Sequence, residues 1–407
     1  MSENVETIRG SLSKLLDGKR IVLTITGGVS IYRIPDVARG LIRHGAFVTV
    51  FMSKTASRLL NPLIMQWATG NSPLTELSGY AEHVNICANS DVIVTAPATA
   101  NLIGKVAGGI TDSPVSLCLT VAMGAGKPIL MVPAMNLNMW SNPIVKGNVE
   151  KLRNLGVNFI EPVIEEGKAK IPPTDEIIES TIDLTSPKNM SGLRVLVTSG
   201  PTREYIDDVK YITTPSSGLT GYYIAREAAA RGAEVYVISG PVNIRYPSSI
   251  KVINVTSVLD MRDAVINLLK SRQIHMAIFA AAPLDFYVRD RVKGKLSSDV
   301  ENVAITLVKA PKIINDAKAA SPSTVVVGYK AEVNVGEDDL LRRALNRMKE
   351  GSWDMVIAHD VFELGFGTMM DTYHIIDKKG SHVKIGPAHK RELARVILDK
   401  ALNMIKV

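Results

Sequence analysis

Lys19–Ser30 reads Lys-Arg-Ile-Val-Leu-Thr-Ile-Thr-Gly-Gly-Val-Ser. The apolar, β-branched run has the composition of a buried strand, and the glycines after it let backbone N–H groups approach a ligand closely. Ile34–His44 follows with helical spacing, and Ala46–Met52 is a second apolar run. Strand, glycine turn, helix and strand in this order open a doubly wound parallel sheet, so the fold class is α/β. Gly27-Gly28-Val29-Ser30 is not a full G-x-G-x-x-G fingerprint. By itself the turn points only to an anion, with Gly28 and Ser30 beside it.

The ends of the next strands extend this reading. Ser53 and Thr55 place hydroxyls just after the second strand, suited to a phosphate or to capping a helix. Asp91–Thr95 is a third strand, and it enters Ala96-Pro97-Ala98-Thr99-Ala100-Asn101. Small residues there allow a planar ligand to lie against the backbone, with Thr99 and Asn101 as polar contacts. Lys127–Val132 leads into Pro133-Ala134-Met135-Asn136-Leu137-Asn138-Met139-Trp140. Ligand crevices of such sheets lie beyond the carboxyl ends of the strands, so Met135 and Asn136 arrive at one. Asn136 there is either a donor and acceptor for a ligand or simply the cap of the next helix. Glu82-His83-Val84 presents a lone histidine, a residue more often structural than catalytic. The segment between the second strand and His83 reads as loose. Glu161–Pro173 reads as a polar loop, and Asp175–Ile182 as a closing helix.

Thr185–Gly192 has linker composition, and then the pattern starts again. Leu193–Thr198 is a strand and Tyr222–Arg231 a helix, followed by the Gly-Ala-strand run Gly232–Val237. The chain therefore divides into two Rossmann-like domains, 1–185 and 186–407. In the second, Ser216-Ser217-Gly218 precedes the helix and makes an anion site. Strand His275–Phe279 carries Asp285 beyond its end. Lys293 and Lys295 lie on a charged loop, and Tyr329 follows strand Thr324–Gly328. Helix Glu337–Lys349 puts Arg343 and Arg347 on one face at i,i+4, placed to grip a polyphosphate. A loop over His359–Thr372, a hairpin over Tyr373–Lys384 and a helix from Lys390 complete the chain.

Composition narrows the class. The 407 residues are 46% apolar and 21% charged, as in soluble globular proteins. Two cysteines, Cys87 and Cys118, cannot form a disulfide framework, and this fits a reducing, cytoplasmic setting. Met1–Gly10 does not read as a secretory signal, and the longest charge-free run, Pro128–Val145, is broken by prolines. No membrane partner is expected. The net charge of +7 comes without an Arg/Lys block interleaved with aromatics, so anionic small molecules explain it better than nucleic acid.

In their order and spacing these motifs resemble the bifunctional phosphopantothenoylcysteine decarboxylase/phosphopantothenate–cysteine ligase family of coenzyme A biosynthesis. In the first half the resemblance rests on Gly27-Gly28-Val29-Ser30, Glu82-His83-Val84, Pro97–Asn101 and Pro133–Asn136. In the second it rests on Ser199-Gly200-Pro201-Thr202-Arg203-Glu204, Ile206–Val209, Ser216-Ser217-Gly218 and Lys295-Leu296. The resemblance implies a first domain of the homo-oligomeric, flavin-containing cysteine decarboxylase type. FMN would oxidise the cysteinyl thiol to a thioaldehyde, and the new C=S would accept the electrons released with CO₂. Gly28, Ser30, Ser53, Thr55, Ala98, Thr99, Ala100, Asn101 and Met135 would hold FMN; His83 would act as base, and Asn136 would bind the substrate carboxylate.

For the second domain the resemblance implies a CTP- and Mg²⁺-dependent ligase joining 4'-phosphopantothenate to cysteine through an acyl-cytidylate. Ser217, Gly218, Ala281, Asp285, Lys295, Pro311, Lys312, Ile313, Ile314, Tyr329, Arg343 and Arg347 would contact CTP, with Lys295 at the transferring phosphate. The metal ligands are not specified. The implied assembly is a homo-oligomer, a dodecamer of trimers and dimers, with His83 and FMN contributed by different chains. Two positions depart from the family. Glu165–Lys170 lacks the cysteine of the family's substrate flap, and Thr214 stands where an asparagine is usual. They leave three other readings to weigh. One is release of the oxidised ene-thiol, another a non-catalytic flavin-binding regulatory subunit. The third is prenyl transfer to FMN, which has no use for the second domain.

Overall fold

Arg20–Ile25 (β1) is buried from its second residue onward because it is central in its sheet and covered on both faces. In this computed structural model, which describes residues 3–299, 301–361 and 367–405, the chain forms two compact units, Met1–Ser186 and Pro187–Val407. In the first unit Ile34–Arg43 (α1) leads to Phe47–Met52 (β2), which lies parallel to β1 on one side. Val92–Ala98 (β3) lies parallel to β1 on the other side, Ile21 standing in register with both Val48 and Val92. Ile129–Pro133 (β4) and Asn158–Phe159 (β5) complete the order β2-β1-β3-β4-β5. The strand order therefore reverses between β1 and β3, and a doubly wound sheet opens its crevice at that point. Alternate strand residues feed opposite cores. Ile21, Leu23 and Ile25 pack with α1 and the helix Thr174–Thr185, while Val22 and Ile93 pack with the other face.

Three readings of this unit need correction. The segment after β2 is not loose: it forms helices Lys54–Leu59 and Pro62–Thr69, capped by Ser53 and Asn61. Such short helices carry too little periodicity to register as a pattern. Glu82–Ala88 (α2) precedes β3, and Ala100–Ala107 (α3) and Pro114–Gly124 (α4) follow it. The polar loop Glu161–Pro173 contains an antiparallel hairpin, Val163–Glu165 with Lys168–Lys170. Its second strand also pairs with the short strand Met135–Asn136, Asn136 opposite Lys168.

The cysteine expectation is corrected as well. Cys87 on α2 and Cys118 on α4 are both buried and joined in a disulfide. Two cysteines exclude a framework of bridges but not one bridge between packed helices. A loop of 31 residues closed in this way removes unfolded-state entropy worth about 4 kcal/mol. Denatured without reductant, the chain is expected to take up no thiol label, and after reduction both cysteines should react. Labelling before reduction would refute the bridge.

In the second unit Arg194–Ser199 (β6) has Glu234–Ser239 (β7) on one side, followed by Lys251–Asn254 (β8). On the other side come Met276–Phe279 (β9), Val325–Glu332 (β10) and Met355–Asp360 (β11), all parallel. Met370–Asp377 (β12) and His382–His389 (β13) add an antiparallel edge. The expected hairpin is thus longer than its sequence signal, and the loop read before it lies partly outside the described residues. Leu219–Ala230 (α5) and Lys390–Leu402 (α7) pack on one face. Glu337–Gly351 (α6) packs on the other. Between α5 and α7 lies Glu227, fully buried. It accepts from Arg231, Arg391 and Arg395, each at 3.0 Å.

Candidate functional site

Each unit carries a cavity at the carboxyl ends of its parallel strands. In the first, Thr26 follows β1 and donates its hydroxyl to the Pro97 carbonyl at 2.6 Å, tying the turn after β1 to the end of β3. Gly27 follows because nothing larger fits: a Cβ there would stand 2.3 Å from Thr55 Cγ2. The resulting cavity, about 850 Å³, spans the β1/β3 reversal. It is lined by Gly28, Ser30, Ser53, Thr55, Thr99, Ala100, Asn101, Met135 and Asn136, all expected from the sequence. Ser30 Oγ is buried there without a hydrogen-bond partner among the described residues. Buried hydroxyls are normally satisfied, so this one marks a place for a ligand atom.

Asn136 caps the helix that follows it and also lines the cavity. Its Oδ1 accepts from the Asn138 N–H at 2.9 Å, which is the helix cap. Its Nδ2 stays available as a donor. Two expected residues do not line the cavity. Ala98 is fully buried inside β3, and His83 sits on α2 with Nδ1 buried and unpartnered among the described residues. Sequence reading missed Tyr32, Arg33, Lys105 and the hairpin residues Lys168–Ile171, which also line it. Lys170, within that lining, is paired with Glu165 and Glu166, at 3.0 and 2.7 Å. No lysine pattern pointed inward, because the hairpin itself was not visible.

The second cavity, about 370 Å³, opens at the N-terminus of α5. Gly218 caps that helix at φ +80°, and a Cβ there would stand 3.0 Å from Val242 Cγ1. Ser217, Gly218, Ala281, Asp285, Pro311, Lys312, Ile313, Ile314, Tyr329 and Arg347 line the cavity as expected. Asp285 and Lys312 form an ion pair within it. The free N–H groups and dipole of a helix start favour a phosphate.

Two expected cations are not in it. Arg343 pairs with Glu332 at 3.1 Å and lies outside the lining, so the i,i+4 pair on α6 sends only Arg347 inward. Lys295 lies on an exposed loop and is not among the residues that line the cavity. That loop is anchored by buried Asp207, which accepts from the N–H groups of Leu296 at 2.9 Å and Val209 at 2.7 Å. The N–H groups of Lys210, Leu296 and Val209 outweigh desolvation and hold its carboxyl far below the usual range. Thr214 donates to the Ala282 carbonyl at 2.8 Å, fastening its own segment to the loop after β9. Thr220, Lys330, His359, Asp371 and Lys390 also line the cavity and carried no motif.

Comparison with known proteins decides the family. The flavoprotein family matches residues 9–186, and the DNA/pantothenate metabolism flavoprotein C-terminal domain matches residues 190–404. The coenzyme A biosynthesis bifunctional protein CoaBC of Thermococcus kodakarensis is 39% identical over 410 residues, covering 100% of both chains. The chain belongs to the CoaBC family. The CoaBC protein of Methanocaldococcus jannaschii is 32% identical, covering 98% of this chain and 97% of its own. That of Bacillus subtilis is 30% identical over 93% of each. This CoaBC family member is a bifunctional enzyme of coenzyme A biosynthesis, with a phosphopantothenoylcysteine decarboxylase half and a phosphopantothenate–cysteine ligase half. No helix among the described residues is long and apolar enough to cross a membrane.

Proposed function

We propose that the second unit joins 4'-phosphopantothenate to cysteine at the expense of CTP, and that the first decarboxylates the product with FMN. The observation that carries the flavin half is the cavity at the β1/β3 reversal, with its glycine turn and the unpartnered Ser30 hydroxyl. These residues suit FMN: hydroxyls and backbone N–H groups for the phosphate, and the small Ala100 and Asn101 turn beside a flat ring. Bound there, FMN supplies the oxidation of the cysteinyl thiol that makes loss of CO₂ feasible. Asn136 Nδ2 donates to the substrate carboxylate and orients it, with its oxygen fixed by the cap. His83 serves as base from a neighbouring chain, since it lies outside the cavity of its own. This requires a homo-oligomer, for which a dodecamer of trimers and dimers is our reading, in the cytoplasm.

In the ligase half the start of α5 cradles the nucleotide phosphates, and Arg347 neutralises their charge. Among the described residues no group of three or more His, Cys, Asp or Glu could hold a metal ion. In this reading Mg²⁺ arrives with the nucleotide, bound mainly by its phosphates and water. Lys295 supplies the cation for the transferring phosphate from the loop that Asp207 anchors. Arg347→Ala is expected to raise the KM for CTP about tenfold, while Arg343→Ala, which loses only an exposed pair, changes it less than about twofold. Equal effects of the two would refute the one-sided placement.

The overall test is mass spectrometry of the products formed from 4'-phosphopantothenate, cysteine and CTP. Amide followed by loss of CO₂ is the expected sequence. A yellow protein that releases no pyrophosphate from CTP would instead support the regulatory reading, and accumulation of ene-thiol would support the oxidative one.

A further inference from the structure

The ligase cavity has a floor that no motif accounted for. Asp371 on β12 is 8% exposed at its side chain, and its Oδ2 faces Lys390 Nζ at 3.1 Å and His359 Nδ1 at 3.5 Å. The second distance is too long for a good hydrogen bond, and His359 Nδ1 is left buried and without a partner among the described residues. All three residues line the cavity. The rings of Tyr329 and Tyr373 meet His359 edge-on, with centroids 6.1 and 5.3 Å away. The Tyr373 hydroxyl stands 3.4 Å from Thr220 Oγ1 in the first turn of α5. The floor is therefore next to the phosphate cradle.

The groups facing His359 differ in what they can accept. Burial raises both tyrosines well above their ordinary range, so they remain phenols and donors. Burial would also raise Asp371, but His359 and Lys390 overcome this and hold it below the usual range. Lys390 is a cation already spent on Asp371. An imidazole beside a carboxylate and faced by two phenols is a group suited to take a proton.

We propose that this floor receives the amino group of cysteine: Asp371 attracts the ammonium and His359 removes its proton. The inference rests on the ligase reading above. The ammonium gives one proton to the imidazole, and the freed nitrogen lone pair attacks the acyl carbon of the acyl nucleotide. An N–C bond forms, and the C–O bond to the phosphate breaks with its electron pair leaving on the nucleoside monophosphate. The second nitrogen proton and the imidazolium proton pass to water. Asp371 and Lys390 are positioning residues, fixing the imidazole and the charge beside it.

The test uses the full chain and His359→Gln, with three readings. Pyrophosphate release from CTP and 4'-phosphopantothenate without cysteine should stay within about threefold of the unaltered protein. Cysteine-dependent amide formation should fall about a hundredfold, the scale of losing a general base. Hydroxylamine, which is already unprotonated at neutral pH, should form the hydroxamate at nearly the unaltered rate. If hydroxamate formation falls as far as amide formation, or pyrophosphate release falls with it, His359 is not the proton acceptor. Should the glutamine variant fail to fold, His359→Asn decides by the same ratios. No pyrophosphate release by the unaltered protein would sink the ligase reading itself, an outcome distinct from the others.

Discussion

Asn136→Asp is expected to abolish decarboxylation while leaving FMN binding and the helix cap in place. The carboxylate of aspartate can still accept from the Asn138 N–H, as Asn136 Oδ1 does at 2.9 Å. What it loses is the Nδ2 donor, and what it adds is a negative charge where the proposed function places the substrate's carboxylate. Losing one oriented donor to a reacting charge costs about a hundredfold or more in kcat, and charge repulsion adds to that. Asn136→Ser, which retains a capping hydroxyl and carries no charge, should be impaired less. Measurement of CO₂ release from preformed phosphopantothenoylcysteine, with the flavin absorbance followed in parallel, separates the cases. If Asn136→Asp decarboxylates within tenfold of the unaltered protein, Asn136 is a cap and nothing more. If the colour is lost too, the residue holds the cofactor.

The second large effect is on stability. Glu227 is the common acceptor for Arg231, Arg391 and Arg395, and Arg231 and Arg391 are themselves 1% and 0% exposed. Glu227→Ala would leave these guanidinium groups buried with their shared counter-charge removed. Breaking one partner of such a buried network costs about 3–5 kcal/mol. For a unit of this size that is roughly 10 °C in the unfolding midpoint. Burial alone would raise the Glu227 carboxyl, but Arg391, Arg395 and Arg231 overcome it and hold it at about 2. The folded value is thus depressed below the ordinary 4.5. Its contribution is complete above that ordinary value and is lost as the pH falls from there toward about 2. Urea titrations across this range should show the unaltered protein losing stability, with a shallower loss in Glu227→Gln. A cost below 1 kcal/mol for Glu227→Ala would show that the arginines find other partners.

The legible part of the sequence was the part with period. Strands such as Arg20–Ile25 and Arg194–Ser199 are buried on both faces, so they stand out as apolar runs, and glycine turns mark their ends. Residues just after those strands line the cavities because doubly wound sheets always present them there. Other features had no such signal. Helices of six or eight residues after β2 are set by capping and tertiary packing. The hairpin at 163–170 is short and charged at four of its eight positions, too little for a strand pattern to register. Arg343 and Arg347 share a helix face in sequence, yet Glu332, on β10, decides which of them turns inward. Asp371 and Lys390 are 19 residues apart, and only the antiparallel edge brings them together. The Cys87–Cys118 bridge depended on two helices meeting, which counting cysteines does not disclose.

The pairing of Met135–Asn136 with Ala169–Lys168 has a consequence for engineering. Asn136 and the hairpin that lines the cavity belong to one small sheet, although more than thirty residues of chain separate them. A hairpin transplanted alone from a relative would meet a foreign edge strand and lose its register against Asn136. The exchangeable cassette is therefore the whole of 133–171, both ends of which leave from buried residues of the parent scaffold, Pro133 and Ile171. Substrate preference in chimaeras should follow that cassette as a block.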